Sequence, residues 1–103
     1  MARRSSLRIP ISLNVRCKAY NKVYSGTVTN ISENGMFVKI KEKNIPEDAH
    51  LTITIQLKED SLHVPVKLIR LKKNDGECEG IGVELSAPPQ KYLDFVENLM
   101  LVL

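Results

Sequence analysis

The chain has 103 residues, of which 43% are hydrophobic and 26% charged. That length suits one domain, and that apolar content supports a packed core and excludes wholesale disorder. With no Trp, three Tyr and two Phe, the core has to be aliphatic. The net charge of +3 hides an asymmetry. Residues 1–32 carry six of the fifteen basic side chains (Arg3, Arg4, Arg8, Arg16, Lys18 and Lys22) and no acid, whereas the remainder is net acidic. An anionic partner near the N-terminal third follows from that distribution.

In chain order, Ile9, Ile11, Leu13, Val15 and Cys17 alternate with Pro10, Ser12, Asn14, Arg16 and Lys18. A period of two buries one face and wets the other, which predicts a strand. A turn at Asn21-Lys22 leads into a second strand over residues 23–30, rich in Val, Tyr and Thr. Ser32-Glu33-Asn34-Gly35 is a dense turn signal before a short third strand over 36–40. Residues 41–48, polar and containing Pro46, read as a loop.

Leu51, Ile53, Ile55 and Leu57 alternate again, and Lys58-Glu59-Asp60 suits a hairpin turn. Leu62, Val64, Val66 and Leu68 continue the pattern, but Ile69 and Leu71 fall on the opposite phase. That slip predicts a bulge or strong twist near Leu68–Ile69. A turn at Asn74-Asp75-Gly76 precedes a last strand over 81–85. Residues 86–89 break the sheet, and the apolar spacing from Tyr92 to Leu103 is helical. Six short antiparallel strands favour a closed barrel, which removes exposed edges, with the helix capping one side or mouth.

Several classes are excluded. No apolar run approaches the ~20 residues of a membrane-spanning helix, so no membrane insertion is expected. The arginines near the start have no apolar stretch behind them, so no signal peptide is expected, and the sequon Asn30-Ile31-Ser32 is discounted accordingly. Cys17 and Cys78 read as thiols of a cytoplasmic protein and not as a disulfide framework. His50, His63 and the cysteines lack metal-ligand spacing. Gly80-x-Gly82 is followed by no Lys-Ser/Thr and opens no helix, so it is not a phosphate loop. Nothing supplies a nucleophile, a base or a metal, so no catalytic residue is assigned and no enzyme is expected.

Two features carry chemistry. Arg4 and Arg8 lie four apart on an arm that leads straight into the first strand. Arginine presents a planar fork of donors that matches phosphate oxygens and guanine O6/N7. Asn30-Ile31-Ser32-Glu33-Asn34-Gly35 offers an amide, a hydroxyl and a glycine at a strand junction. Each alone reads most simply as a basic tail or a turn.

Together, Arg-x-x-x-Arg, a strand pair and Asn-x-Ser-x-x-Gly resemble the PilZ domain family of bacterial cyclic di-GMP receptors. Gly80-Ile81-Gly82-Val83-Glu84-Leu85 looks like that family's glycine-containing final strand, and a helix after it is common there. The resemblance implies a mainly β fold: a six-stranded antiparallel β-barrel with a C-terminal α-helix and a flexible basic N-terminal arm. It implies one domain over 1–103, with arm 1–8, barrel 9–86 and helix 87–103. It implies that Arg4 and Arg8 grip phosphates and guanines. Asn30 would pair with a guanine or position the arginines, and Ser32 and Gly35 would lie against the ligand. Arg3 would add a cation that bears on whether one nucleotide or an intercalated pair binds.

The resemblance implies no cofactor beyond the ligand cyclic di-GMP. It implies a cytoplasmic receptor whose arm orders on binding and is read by a downstream effector protein, with motility, adhesion, biofilm polysaccharide production or virulence as outputs. A homodimer through the C-terminal helix is a further expectation. Two alternatives stay open: a PilZ-like protein-interaction adaptor that does not bind the nucleotide, and a small nucleic-acid-binding barrel. DNA or RNA binding is not expected, because the strands lack paired aromatics for stacking.

Overall fold

The computed structural model describes residues 8–19, 22–42 and 50–102. Arg3, Arg4, Asn21 and most of the expected 41–48 loop lie outside them. Six strands follow in order: β1 (Ile9–Ala19), β2 (Lys22–Ser32), β3 (Gly35–Glu42), β4 (His50–Gln56), β5 (Ser61–Asn74) and β6 (Glu77–Glu84). Among the described residues one helix, α1 (Gln90–Val102), follows. All pairings are antiparallel, and the order β1-β2-β3-β6-β5-β4 closes into a barrel. The barrel is thus two three-stranded meanders joined at β3–β6 and β1–β4.

The inward residues are the alternating aliphatics expected from the sequence. Val28, Val38, Ile53, Val64, Ile81 and Val83 are all but inaccessible. The two-residue turn between β5 and β6 has Asp75 at φ 54° and Gly76 at φ 81°. Two positive φ values in a two-residue hairpin loop define a type I′ turn, whose twist matches the strands it joins. Pro65 sits mid-strand, opposite Thr52 of β4. β6 pairs with β5 only from Lys67 onward, so the missing Pro65 N–H interrupts no second ladder.

The strands run longer than the periodicity predicts. β2 continues to Ser32, β5 to Asn74, and β6 begins at Glu77. The β5 extension is polar, exposed and held by cross-strand pairing, whereas Ile31, Ser32 and Cys78 in the other two are buried. Register shifts mark bulges in β2 between Val28 and Asn30 and in β5 between Leu68 and Arg70. The β5 bulge is the one the phase slip predicts.

The helix starts at the Pro89 carbonyl, which accepts from the Tyr92 and Leu93 amides. Tyr92 and Val96 are buried in the barrel core, and Leu93, Phe95 and Leu99 pack partly against it. Lys91 meets Asp60 of the β4–β5 turn at 3.2 Å, so the helix covers the end of the barrel that carries this turn. The described helix is not long and apolar enough to cross a membrane.

Candidate functional site

β1 begins at Ile9, so Arg8 projects from its first approach to the barrel. Its Nη1 donates to Asn30 Oδ1 at 2.6 Å, a short charge-assisted bond. Asn30 reaches outward because of the β2 bulge: Val28 and Ile31 both point inward, and the extra residue between them shifts the phase. Bulges commonly re-aim a side chain next to a site.

The β2–β3 turn is built from behind. Ser32 is 1% exposed. Its hydroxyl donates to Asn34 Oδ1 at 2.9 Å, with the Gly35 carbonyl at 3.4 Å. Its carbonyl accepts the Tyr92 hydroxyl at 2.7 Å. Ser32 therefore shapes the loop from inside and does not face outward in this conformation. Burial pushes the Tyr92 phenol well above its ordinary range, against a smaller opposing pull from nearby Arg8. Tyr92 stays a neutral donor.

Gly35 is required by close approach and not by a left-handed φ. A Cβ there would stand 2.8 Å from the Val83 carbonyl and 3.8 Å from Arg8 Nη2. The backbones of β3 and β6 meet at this point, and Arg8 lies over the meeting.

Arg8 and Asn30 border an open groove of about 610 Å³, lined also by Met36, Phe37, Ile69, Arg70, Lys72, Gly82 and Val83. Its size suits a small-molecule ligand. Three of the lining residues are cations and none is a carboxylate, so the groove favours an anion. A second depression of about 640 Å³ lies near Asn14, Arg16, Thr27, Lys39 and Thr54. Asn14 and Thr27 are hydrogen-bonded to each other there, and none of the described motif residues reaches it.

The structure brings Arg8 and Asn30 together and places Ser32 and Gly35 directly behind them. Arg3 and Arg4 fall outside the described residues. Sequence reading misses Phe37, Arg70, Lys72 and Tyr92. The phase slip at Leu68–Ile69 was the available signal for Arg70, because a bulge turns consecutive residues outward. Among the described residues, no three His, Cys, Asp or Glu side chains gather as a metal site. Cys17 is buried, and that burial raises its thiol to about 12, which leaves it an inert core residue.

The PilZ domain family matches residues 2–100. The chain belongs to the PilZ family. That family is one of cyclic di-GMP receptors and adaptors. Solved structures share the fold. The PilZ domain of CeSA from a cellulose-synthesising bacterium superposes with a TM-score of 0.71 at 22% identity, covering 92% of this chain and 99% of that one. The Bacillus subtilis inhibitor of motility, MotI/DgrA, gives 0.73 at 19% identity, covering 98% of this chain and 52% of that one. An uncharacterised Legionella protein gives 0.57 at 17% identity over 93% and 92% of the two chains. Among curated proteins, none matches in sequence.

Proposed function

We propose that this PilZ domain is a cyclic di-GMP receptor that works by binding alone and hands the signal to a downstream effector protein. The observation that carries the reading is the Arg8–Asn30 pair at the edge of a groove with three cations and no carboxylate. A cyclic dinucleotide offers two phosphates and two guanines, the groups that guanidinium and amide donors recognise.

Asn30 accepts from Arg8 through Oδ1, which fixes the guanidinium over Gly35 and leaves the Asn30 amide N–H₂ for a ligand acceptor. Arg4, four residues before Arg8, joins it on the phosphates. Residues 1–8 fold over the ligand when it binds, and this ordering is what the effector reads. The relative named as a motility inhibitor suggests motility as one output to test first.

The test is calorimetric titration of the wild type and of Arg4→Ala/Arg8→Ala with cyclic di-GMP, with GTP and cyclic GMP as controls. Saturable heat from cyclic di-GMP alone is expected, with binding lost in the double variant. A hydrogen bond to a charged group is worth about 1.5–3 kcal/mol, so Arg8→Ala alone weakens binding by roughly ten- to a hundredfold. Absence of heat from the wild type at high ligand concentration would overturn the reading and leave the adaptor alternative.

A further inference from the structure

Four residues from four adjacent strands stand in one row on the outer wall of the barrel. Asn30 of β2 pairs with Phe37 of β3, Phe37 with Gly82 of β6, and Gly82 with Arg70 of β5. Both ends of the row are bulge residues, so both side chains are turned outward by the same device. Three strand steps of ~4.8 Å separate them, a span wider than one purine.

The middle of the row depends on two glycines. A Cβ on Gly80 would collide with the Phe37 ring at 2.5 and 2.7 Å. The ring therefore lies in the gap that Gly80 leaves. A Cβ on Gly82 would touch Arg70 Cβ at 3.5 Å and Nε at 4.0 Å, so the Arg70 side chain passes over Gly82. The Gly80-x-Gly82 pair is a side-chain-free trough with the Phe37 ring over one glycine and the Arg70 side chain over the other. Arg70 is exposed and makes no ion pair or hydrogen bond among the described residues. Its neighbour Ile69 is 56% exposed, an apolar side chain at the rim of the groove.

We propose that Phe37 and Arg70 form a second base-reading wall of this groove, with Phe37 as the stacking face and Arg70 as a bidentate donor to O6 and N7 of a guanine. The proposal rests on the cyclic di-GMP reading and adds where the second base goes. Guanine is favoured over phosphate as Arg70's partner because the Arg70 side chain passes over the Gly82 backbone beside exposed, apolar Ile69. Phosphate has Arg8 across the groove and Lys72 two residues further along β5. A guanine shows two acceptors on that edge, whereas an adenine places its N6 donor against the arginine.

The experiment titrates cyclic di-GMP and the mixed dinucleotide 3′,3′-cyclic GMP–AMP into the wild type, Arg70→Ala, Arg70→Lys and Phe37→Leu, with melting curves to confirm folding. The wild type should prefer cyclic di-GMP by roughly ten- to a hundredfold, the discrimination expected of one bidentate arginine–guanine pair. In Arg70→Ala and Arg70→Lys the two ligands should bind alike, since the one guanine of the mixed ligand then goes to the Arg8–Asn30 end. Phe37→Leu should weaken both ligands about tenfold or more through lost stacking.

If Arg70→Lys keeps the wild-type preference, Arg70 holds phosphate and the proposal fails while the receptor reading survives. The proposal fails in the same way if Arg70→Ala changes neither affinity nor preference. Failure of the wild type to bind cyclic di-GMP sinks both.

Discussion

On the Arg8 side of the groove, the polar groups that shape the site are tied to something behind them. Asn30 holds Arg8, Ser32 holds the turn, the Tyr92 hydroxyl holds Ser32, and Gly35 lies against the β6 backbone with no room to spare. On the Arg70 side, the side chains rest in a trough and end in solvent. One wall is preorganised through the core, and the other is laid on top of the sheet. Stability and recognition are therefore coupled at one wall and separable at the other, and substitutions can test that split.

The largest effect is expected behind the Arg8 wall. Tyr92 is fully buried, and Tyr92→Ala should cost about 3–5 kcal/mol, as for other buried aromatics. For a domain of this size that lowers Tm by ~15 °C or more. Tyr92→Phe keeps the ring and removes only the donor to the Ser32 carbonyl, costing about 1–3 kcal/mol. A Tyr92→Phe variant with unchanged Tm would show that this staple does not matter. Gly35→Ala comes next, at about 1–3 kcal/mol, because its Cβ meets a backbone carbonyl that cannot swing away.

Gly80→Ala sharpens the contrast. Its closest Cβ contacts are with the far end of the Phe37 ring, while the Val38 carbonyl at 3.1 Å has to give by only a few tenths of an ångström. The ring can rotate out into solvent, so thermal unfolding should show a loss of only about 0.5–1 kcal/mol. Equal destabilisation by the two alanines would erase the distinction between the walls.

The smallest effect belongs to the exposed Lys91–Asp60 contact. The Asp60 carboxyl is held below its ordinary range first by the Ser61 amide and then by Lys91. A lowered folded-state pKa adds stability that is present above the unfolded value and fades as pH falls through the folded one. Both side chains are well exposed, so Lys91→Ala should leave Tm unchanged at neutral pH. Only the Asp60 titration, followed by NMR, should move upward.

Much of the barrel was legible because period-two alternation is a local signal: β1, β4 and the first half of β5 announce themselves within a few residues. The Arg8–Asn30 pairing was legible because both residues sit in short motifs. Phe37, Gly82 and Arg70 were not, because what joins Phe37 to the other two is strand pairing between segments more than thirty residues apart. Ser32 was expected against a ligand. Its position inside the turn follows from the β2 bulge and from a partner, Tyr92, that lies sixty residues downstream. The β5 bulge left a trace as a broken phase, but nothing local says which charged residue such a break will present.

The joint between β3 and β6 divides the groove as well as the barrel. Asn30 and Phe37 belong to the first meander, and Gly82 and Arg70 to the second. A molecule gripped from both sides acts as a rivet through the seam. Any fluctuation that parts the seam must first let go of the rivet, so occupancy becomes a brake on breathing. That brake is readable as slower amide exchange at Val38 and Ile81 even where the average shape of the barrel stays the same.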